Sequence, residues 1–345
     1  MSASLGTHFL AVASSRELRR VPLGRRVGGQ RLALARDSQG VPFALRDSCP
    51  HRGAPLSLGT VVGDSLECPY HGIQFSTDGA ANSIPWSPAP CRLRARTYRV
   101  IEQDGLVFAA SSSEAERPPL LEAPAGWRTL SLSASIDAPQ VEVVENFMDS
   151  THTGVVHTGL IRSTRRREER EVSVSADERS VTVEHTALDE DLGLARLWLG
   201  PGLISHRDTC LLPGTVDVEY FVNGAPFFRA LVFVTPTGDA SSEVFVRAAF
   251  GSPRTGSLFA DLGRTVLDRG AGLFAPLIGR RVLGQDRKIL EAVEGTLGCG
   301  PGSEGGEGAR RPLAYQPGEL MHECVRDLLR GSPRIGLSET VTLAL

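Results

Sequence analysis

Lys288 is the only lysine among the 37 basic residues of this 345-residue chain. Its positive charge is almost all arginine, a bias that reads as genomic composition rather than chemistry. Acidic residues number 40, and a net charge of −3 leaves no electrostatic footprint for nucleic acid. No apolar run approaches the roughly 20 residues of a membrane-spanning helix, and Met1-Ser2-Ala3-Ser4-Leu5 lacks the basic start and apolar core of a secretion signal. The expectation is a cytoplasmic protein that binds neither nucleic acid nor membrane. Cysteine is scarce, and six in a chain of this size do not suggest a disulfide framework. Cys91, Cys210, Cys299 and Cys324 have no nearby histidine that makes a repeated ligand pattern and read as plain thiols. Also missing are the C-x4-C-x2-C spacing of plant-type ferredoxins and a G-x-G-x-x-G after a strand.

What is present begins with Cys49-Pro50-His51-Arg52-Gly53 and Cys68-Pro69-Tyr70-His71-Gly72, a C-x-H-x16-C-x2-H pattern. Two thiolates and two neutral imidazoles suit a [2Fe–2S] cluster with both cysteines on one iron and both histidines on the other. Replacing two anionic ligands by neutral ones raises the potential of such a cluster. Gly53, Gly59, Gly63 and Gly72, with Pro50, Pro55 and Pro69, suit two tight loops clamping it between hairpins. A Cys2His2 zinc site takes similar ligands, but zinc fingers pair C-x2-4-C with H-x3-5-H. Here each loop supplies one cysteine and one histidine.

A second set of metal ligands is packed between Asn146 and His157 as N-x2-D-x2-H-x4-H. On a regular helix Asn146, Asp149 and His152 follow at i+3, so Asp149 lies beside both neighbours. His157 falls about 140° around the helix from His152, so the two imidazoles reach one metal only if the helix ends or bulges between them. Gly154 and the pair Val155-Val156 are the expected place. Two histidines and a carboxylate with open positions is the arrangement of non-haem Fe(II) oxygenases. For the carboxylate, a helix through Gly284-Gln285-Asp286-Arg287 puts Val282, Asp286, Ile289 and Val293 on one apolar stripe. A core-facing Asp286 is costly without a partner. A metal relieves that cost, as does a buried ion pair; Asp268 and Glu291 are the other candidates.

Residues 6–46 alternate in short strand-like runs, as do 93–100 and 106–110. Ser111 to Pro119 reads as a solvated linker. The expected organisation is a domain over 1–113, a linker over 114–121 and a second domain over 122–345. Strands are expected at 172–174, 181–184, 216–222, 227–235 and 243–247, then helices, giving an α+β domain. His8, His185, His206 and His322 are expected to have structural or surface roles rather than to be ligands, with His206 the one best placed to face a pocket. The run Arg165 to Arg170 reads as a solvated face, Gly295 to Gly308 as a flexible loop, and Met321 to Leu329 as a closing amphipathic helix.

The two cysteine–histidine loops and the Asn146 to His157 stretch, in this order, resemble the terminal-oxygenase (α) subunits of Rieske-type non-haem iron aromatic-ring-hydroxylating oxygenases. The likeness covers most of the chain; Ile73 stands where the family commonly has tryptophan. It implies an N-terminal all-β Rieske domain with Cys49, His51, Cys68 and His71 on the cluster, followed by a helix-grip, START-like catalytic domain. The mononuclear Fe(II) is then held by His152, His157 and Asp286, whose D-x4-E setting with Glu291 matches the family's. O2 is the implied co-substrate, and NAD(P)H acts only through a separate reductase, with or without a ferredoxin. The implied assembly is a head-to-tail homotrimer in which Asp149 accepts hydrogen bonds from His152 and from the cluster ligand His71 of the adjacent chain, with Asn146 near the iron. Length and N-x2-D spacing resemble the β-free monooxygenase and demethylase branch, exemplified by vanillate and dicamba demethylases. A Rieske electron-transfer or ligand-binding protein without an active mononuclear site is the alternative.

Overall fold

The computed structural model describes residues 5–86, 92–158, 160, 169–188, 202–252, 258–298 and 319–344. Cys91, Cys299, Arg165 to Glu168 and the Gly-rich stretch from 299 to 308 lie outside them. The chain forms two compact units: Ala3–Leu120 with Thr235–Asp239, and Leu121–Val234 with Ala240–Leu345.

In the first unit β1 (Leu10–Ser14), β2 (Leu23–Val27), β3 (Gln30–Arg36), β4 (Pro42–Arg46), β9 (Thr97–Gln103) and β10 (Leu106–Ala110) form one sheet, ordered β1-β10-β9-β4-β3-β2. The short strands β5 (Thr60–Val62), β6 (Ser65–Glu67), β7 (Gln74–Ser76) and β8 (Ala81–Ser83) form another. β3 is buried from Leu32 to Ala35, with Leu32 and Leu34 in one core cluster and Ala33 and Ala35 in another. An apolar run packed on both faces has that pattern. Ile73, at the position of the family's tryptophan, is fully buried in the cluster that also holds Cys49 and Cys68.

The second unit is built on an antiparallel eight-stranded sheet ordered β11-β17-β16-β15-β14-β13-β12-β18. Its strands are β11 (Arg128–Ile136), β12 (Glu169–Ala176), β13 (Ser180–Leu188), β14 (Ile204–Leu211), β15 (Thr215–Val222), β16 (Ala225–Gly238), β17 (Ser241–Phe250) and β18 (Leu337–Ala344). Val172, Val174, Val181, Val183, Cys210 and Val216 share a buried cluster with residues of three helices: α1 (Gln140–Met148), α3 (Leu258–Gly298) and α4 (Glu319–Arg330). A fourth helix, α2 (Thr153–Val156), is a single turn. β11, β14 and β18 were not foreseen in the sequence; β18 pairs with β12 over its whole length and ends the sheet. Among the described residues no helix is long and apolar enough to cross a membrane.

Two expectations about helices are corrected. The first helix ends at Met148, well before Gly154, because Asp149 turns extended (φ −87°, ψ 110°) and its carboxylate accepts a 2.7 Å hydrogen bond from Thr151 N. An Asp closing such a turn on its own backbone competes with helix continuation. On α3 the buried stripe is Leu283, Asp286 and Leu290, whereas Ile289 and Val293 are 47% and 46% exposed and Val282 is intermediate. Asp286 is core-facing as expected, but its apolar companions are the leucines at i−3 and i+4.

Candidate metal centres

Both cysteine–histidine loops fold alike. Gly53 N donates to Cys49 O at 2.7 Å, and Gly72 N to Cys68 O at 3.0 Å. Each glycine has positive φ, +75° and +70°, where a side chain is strained. The register of β6 and β7 fixes the second loop, with Cys68 N donating to Ile73 O at 2.8 Å. Cys49 and Cys68 are buried free thiols. The Cys49 thiol pKa is raised, first by burial and then by contact with Cys68. The His51 and His71 rings lie 4.8 Å apart between centroids. Desolvation, and next the charges of His51 and Arg52, lower the His71 pKa and favour the neutral ring that ligation requires. His51 Nδ1 is buried with no hydrogen-bond partner among the described residues. Two touching thiols and an orphaned imidazole nitrogen fit a metal cluster better than they fit a metal-free core. Trp86 packs 5.6 Å from His51 and 5.7 Å from His71 between ring centroids.

The second centre gathers residues from three places. Ser150 O accepts from Thr153 Oγ1 at 2.7 Å, which starts α2; His152 and His157 cap its two ends. The break at Asp149 therefore sets both imidazoles loose from α1 and aims them together. Their Nε2 atoms are 3.3 Å apart, and Asp286 Oδ1 lies 3.4 Å from His152 Nε2 and 3.0 Å from His157 Nε2. Metal–ligand bonds of about 2.1 Å at right angles put ligand atoms about 3 Å apart, so the three atoms frame one ion on a shared face. The two rings stand at 76°, and their lone pairs converge. Burial pushes the Asp286 carboxyl up, yet hydrogen bonds from His152 and His157 bring it down to about 2. Burial depresses His157, but the hydrogen bond and charge of Asp286, with Gln285, more than reverse it.

Asp149 Oδ2 lies 3.9 Å from His152 Nδ1, an ion-pair distance rather than a hydrogen bond. The Asn146 side-chain nitrogen is buried without a partner among the described residues. Of the rival carboxylates, Asp268 accepts from Ser252 N (3.0 Å) and Oγ (2.6 Å), and Glu291 pairs with Arg287 at 3.0 Å. Neither joins the histidines. Sequence reasoning passed over Gln285, whose Oε1 lies 3.0 Å from His157 Nδ1. Accepting from Nδ1–H holds His157 in the tautomer whose Nε2 lone pair faces the site. Gln285→Leu is expected to lower mononuclear iron affinity by about tenfold to 100-fold, read by iron titration of apoprotein, with the Rieske spectrum unchanged.

His185 and His206, expected to have structural or surface roles, are both buried. They face each other across β13 and β14, and with Asp208 they form a buried trio. Asp208 Oδ2 is 3.5 Å from His206 Nε2 and 3.9 Å from His185 Nε2. The two rings stack at 3.7 Å and 15°, and Tyr220 extends the stack at 4.7 Å from His206. In-plane lone pairs of parallel rings do not meet at a point, so this trio is not shaped to hold an ion as the first is. Burial pushes the Asp208 carboxyl well above its usual range, with the charges of Asp217 and Asp149 adding to the rise. Ser150 Oγ, 3.4 Å from His185 Nε2, joins this polar group to the segment that carries His152. The remaining histidine near the core, His322, lies 3.4 Å from Glu145, which Arg326 also binds at 2.8 Å.

Residues 8–99 match the Rieske [2Fe-2S] domain, and residues 136–301 match the vanillate O-demethylase oxygenase C-terminal domain. The oxygenase component of dicamba O-demethylase from Stenotrophomonas maltophilia is 35% identical over 157 residues, 43% of this chain and 46% of that protein. The chloroplastic protein TIC 55 of Arabidopsis thaliana is 28% identical over 243 residues, 66% of this chain and 43% of that protein. The matches thus span less than half the length of these relatives. The crystal structure of dicamba monooxygenase bound to dicamba superposes with a TM-score of 0.72 at 22% identity, covering 95% of this chain and 97% of that one, a likeness of fold.

Proposed function

Because this chain belongs to the family of Rieske-type non-haem iron oxygenases, we propose that it is a terminal oxygenase component that hydroxylates or oxidatively demethylates a small aromatic or polycyclic organic substrate. The observation that carries this reading is the convergence of His152 Nε2, His157 Nε2 and Asp286 Oδ1, within 3.4 Å of one another, in a chain that also has the cysteine–histidine loops. When bound, the cluster supplies single-electron transfer and the mononuclear iron supplies O2 activation beside the substrate. The demethylase-type C-terminal domain favours the monooxygenase and demethylase branch over dihydroxylation.

The chain's own residues do the rest. Cys49 and Cys68 hold one pole of the cluster, and His51 and His71 the other. Asp286 fixes a negative charge in a desolvated place, and Gln285 orients His157. Asp149 serves as the positioning carboxylate behind His152, receiving His71 of a neighbouring subunit. That arrangement requires a head-to-tail contact between copies, which the family resemblance makes a homotrimer. The stripe Leu273, Phe274, Leu277 and Ile278 on α3, between 41% and 78% exposed, supports association because so large an apolar face is rare on a monomer. Electrons come from a separate cytoplasmic reductase, directly or through a ferredoxin.

The test is anaerobic reduction of purified protein, iron counting, and exposure to O2 with a panel of methoxylated and polycyclic aromatics. About three irons per chain, two of them in the cluster, with oxygenated product is the expected result. About two irons, a Rieske signal and no product with any substrate would instead mark an electron carrier.

A further inference from the structure

A half-enclosed groove of about 400 Å³ opens in the first unit, lined by Gly29, Gln30, Arg31, Arg46, Asp47, Ser48, Gly53, Pro55 and Arg96. Neither metal centre uses it. Three exposed guanidiniums face it across three neighbouring strands. Arg31 stands on β3 and Arg46 at the end of β4, while Arg96, just before β9, accepts Arg46 N at its carbonyl, 2.7 Å away. The one acidic lining residue, Asp47, is buried and already engaged. It accepts from Ser57 N at 2.7 Å and Ser57 Oγ at 2.9 Å, and pairs with Arg31 at 3.2 Å. Arg46 and Arg96 have no carboxylate partner among the described residues. Burial raises the Tyr98 hydroxyl pKa, and the positive fields of Arg96 and Arg46 oppose the rise, so both charges bear on the same spot. Tyr98 OH donates to Gln30 at 2.7 Å, and Arg96 covers its ring at 5.5 Å, which keeps this wall ordered. The groove is therefore a concave cationic surface on a chain whose overall charge is −3.

The opposite wall is the cluster loop itself. Ser48 precedes Cys49, Gly53 N donates to Cys49 O, and Cys49 N donates to Ala54 O at 2.8 Å. Anything seated in the groove is one loop away from a cluster ligand. Electron transfer falls steeply with distance, so a donor seated here lies close enough to the cluster to reduce it. We infer that the Arg31, Arg46 and Arg96 groove is the docking surface for the acidic face of a small electron-carrier protein that reduces the cluster. The inference rests on the oxygenase reading for its need of an external donor. Opposite charge across a rim acts mainly on association, raising on-rates about tenfold to 10³-fold at low salt.

The experiment uses full-length protein with its cluster, and as donor an acidic plant-type [2Fe–2S] ferredoxin kept reduced by its reductase. Stopped-flow absorbance follows cluster reduction over a range of salt concentrations. Wild type is expected to be reduced fast at low salt and progressively more slowly as salt rises. The double variant Arg46→Glu/Arg96→Glu is expected to be reduced about tenfold to 100-fold more slowly at low salt, with little salt dependence. Arg46→Gln/Arg96→Gln should fall between the two. Reduction by photoreduced deazaflavin, a small neutral donor, and the cluster's potential and EPR signal should be the same in all three. Equal ferredoxin rates and salt slopes in wild type and variants overturn the proposal, as does a wild type that the ferredoxin does not reduce. A variant with a shifted potential or slowed deazaflavin reduction also overturns it, since the arginines would then act on the cluster itself. None of these readouts needs substrate or mononuclear iron. Chemically reduced protein that yields no product with O2 would therefore count against the oxygenase reading alone.

Discussion

Asp286→Ala is expected to purify with an unaltered Rieske spectrum, to hold about two irons per chain rather than about three, and to oxygenate nothing. Asp286 is the only carboxylate within reach of both His152 Nε2 and His157 Nε2 among the described residues, at 3.4 and 3.0 Å. It is also 2% exposed, so water does not replace its oxygen cheaply. Removing it leaves two neutral nitrogens, a weak site for a divalent ion. A metal's electrostatic contribution is worth several kcal/mol, so a loss of about 10³-fold or more in turnover follows. The cluster ligands belong to the other compact unit and should be indifferent. Measurement is iron per chain by elemental analysis, Rieske EPR, and product per reduced cluster. Retained activity would move the third ligand elsewhere. Asp268 and Glu291 are poor substitutes, since the first is held by Ser252 and the second by Arg287.

Asp149→Asn should separate assembly from communication. The side chain is nearly isosteric, and its Oδ1 continues to accept from Thr151 N, the 2.7 Å contact that turns the chain out of α1. Both centres should therefore form with near-normal iron. What is lost is the negative charge 3.9 Å behind His152 Nδ1. In the proposed trimer that carboxylate also receives the neighbouring His71. Substitution of a carboxylate that orients a ligand costs about tenfold to 100-fold. We expect that loss in the rate at which a pre-reduced cluster reoxidises with substrate and O2, measured by single-turnover mixing. Wild-type reoxidation would show that the centres do not communicate through Asp149. Loss of the mononuclear iron would make it a scaffold residue instead.

The cluster ligands were legible because they are local. A cysteine and a histidine two or three residues apart on one tight loop declare their purpose by spacing, and the glycines four residues after Cys49 and Cys68 supply the positive φ those loops need. The alternating strands were also legible at 172–174 and 181–184, where Val172, Val174, Val181 and Val183 are buried, but β14, whose Ile204, His206, Asp208 and Cys210 point inward, was not foreseen. Here reading stops. Alternation does not say what His206 and Asp208 meet. His185 arrives opposite His206 only through the β13–β14 register.

The sequence by itself pointed to the two domain types, the four candidate cluster ligands and the His152–His157 pair, because each is written in contiguous residues whose geometry the local backbone dictates. Asp286 was also singled out, but only the tertiary structure brings its carboxylate within 3.4 Å of both imidazoles. Asp286 is 129 residues past His157, and its place depends on how α3 packs, with Leu283 and Leu290 rather than Ile289 and Val293 turned inward. The same holds for Gln285 behind His157, for Arg326 bound to Glu145, and for the arginine groove, whose three guanidiniums come from separate segments of the chain. Contacts of that kind are set by packing and register, where a one-residue shift turns a side chain to the opposite face of a strand or about 100° around a helix.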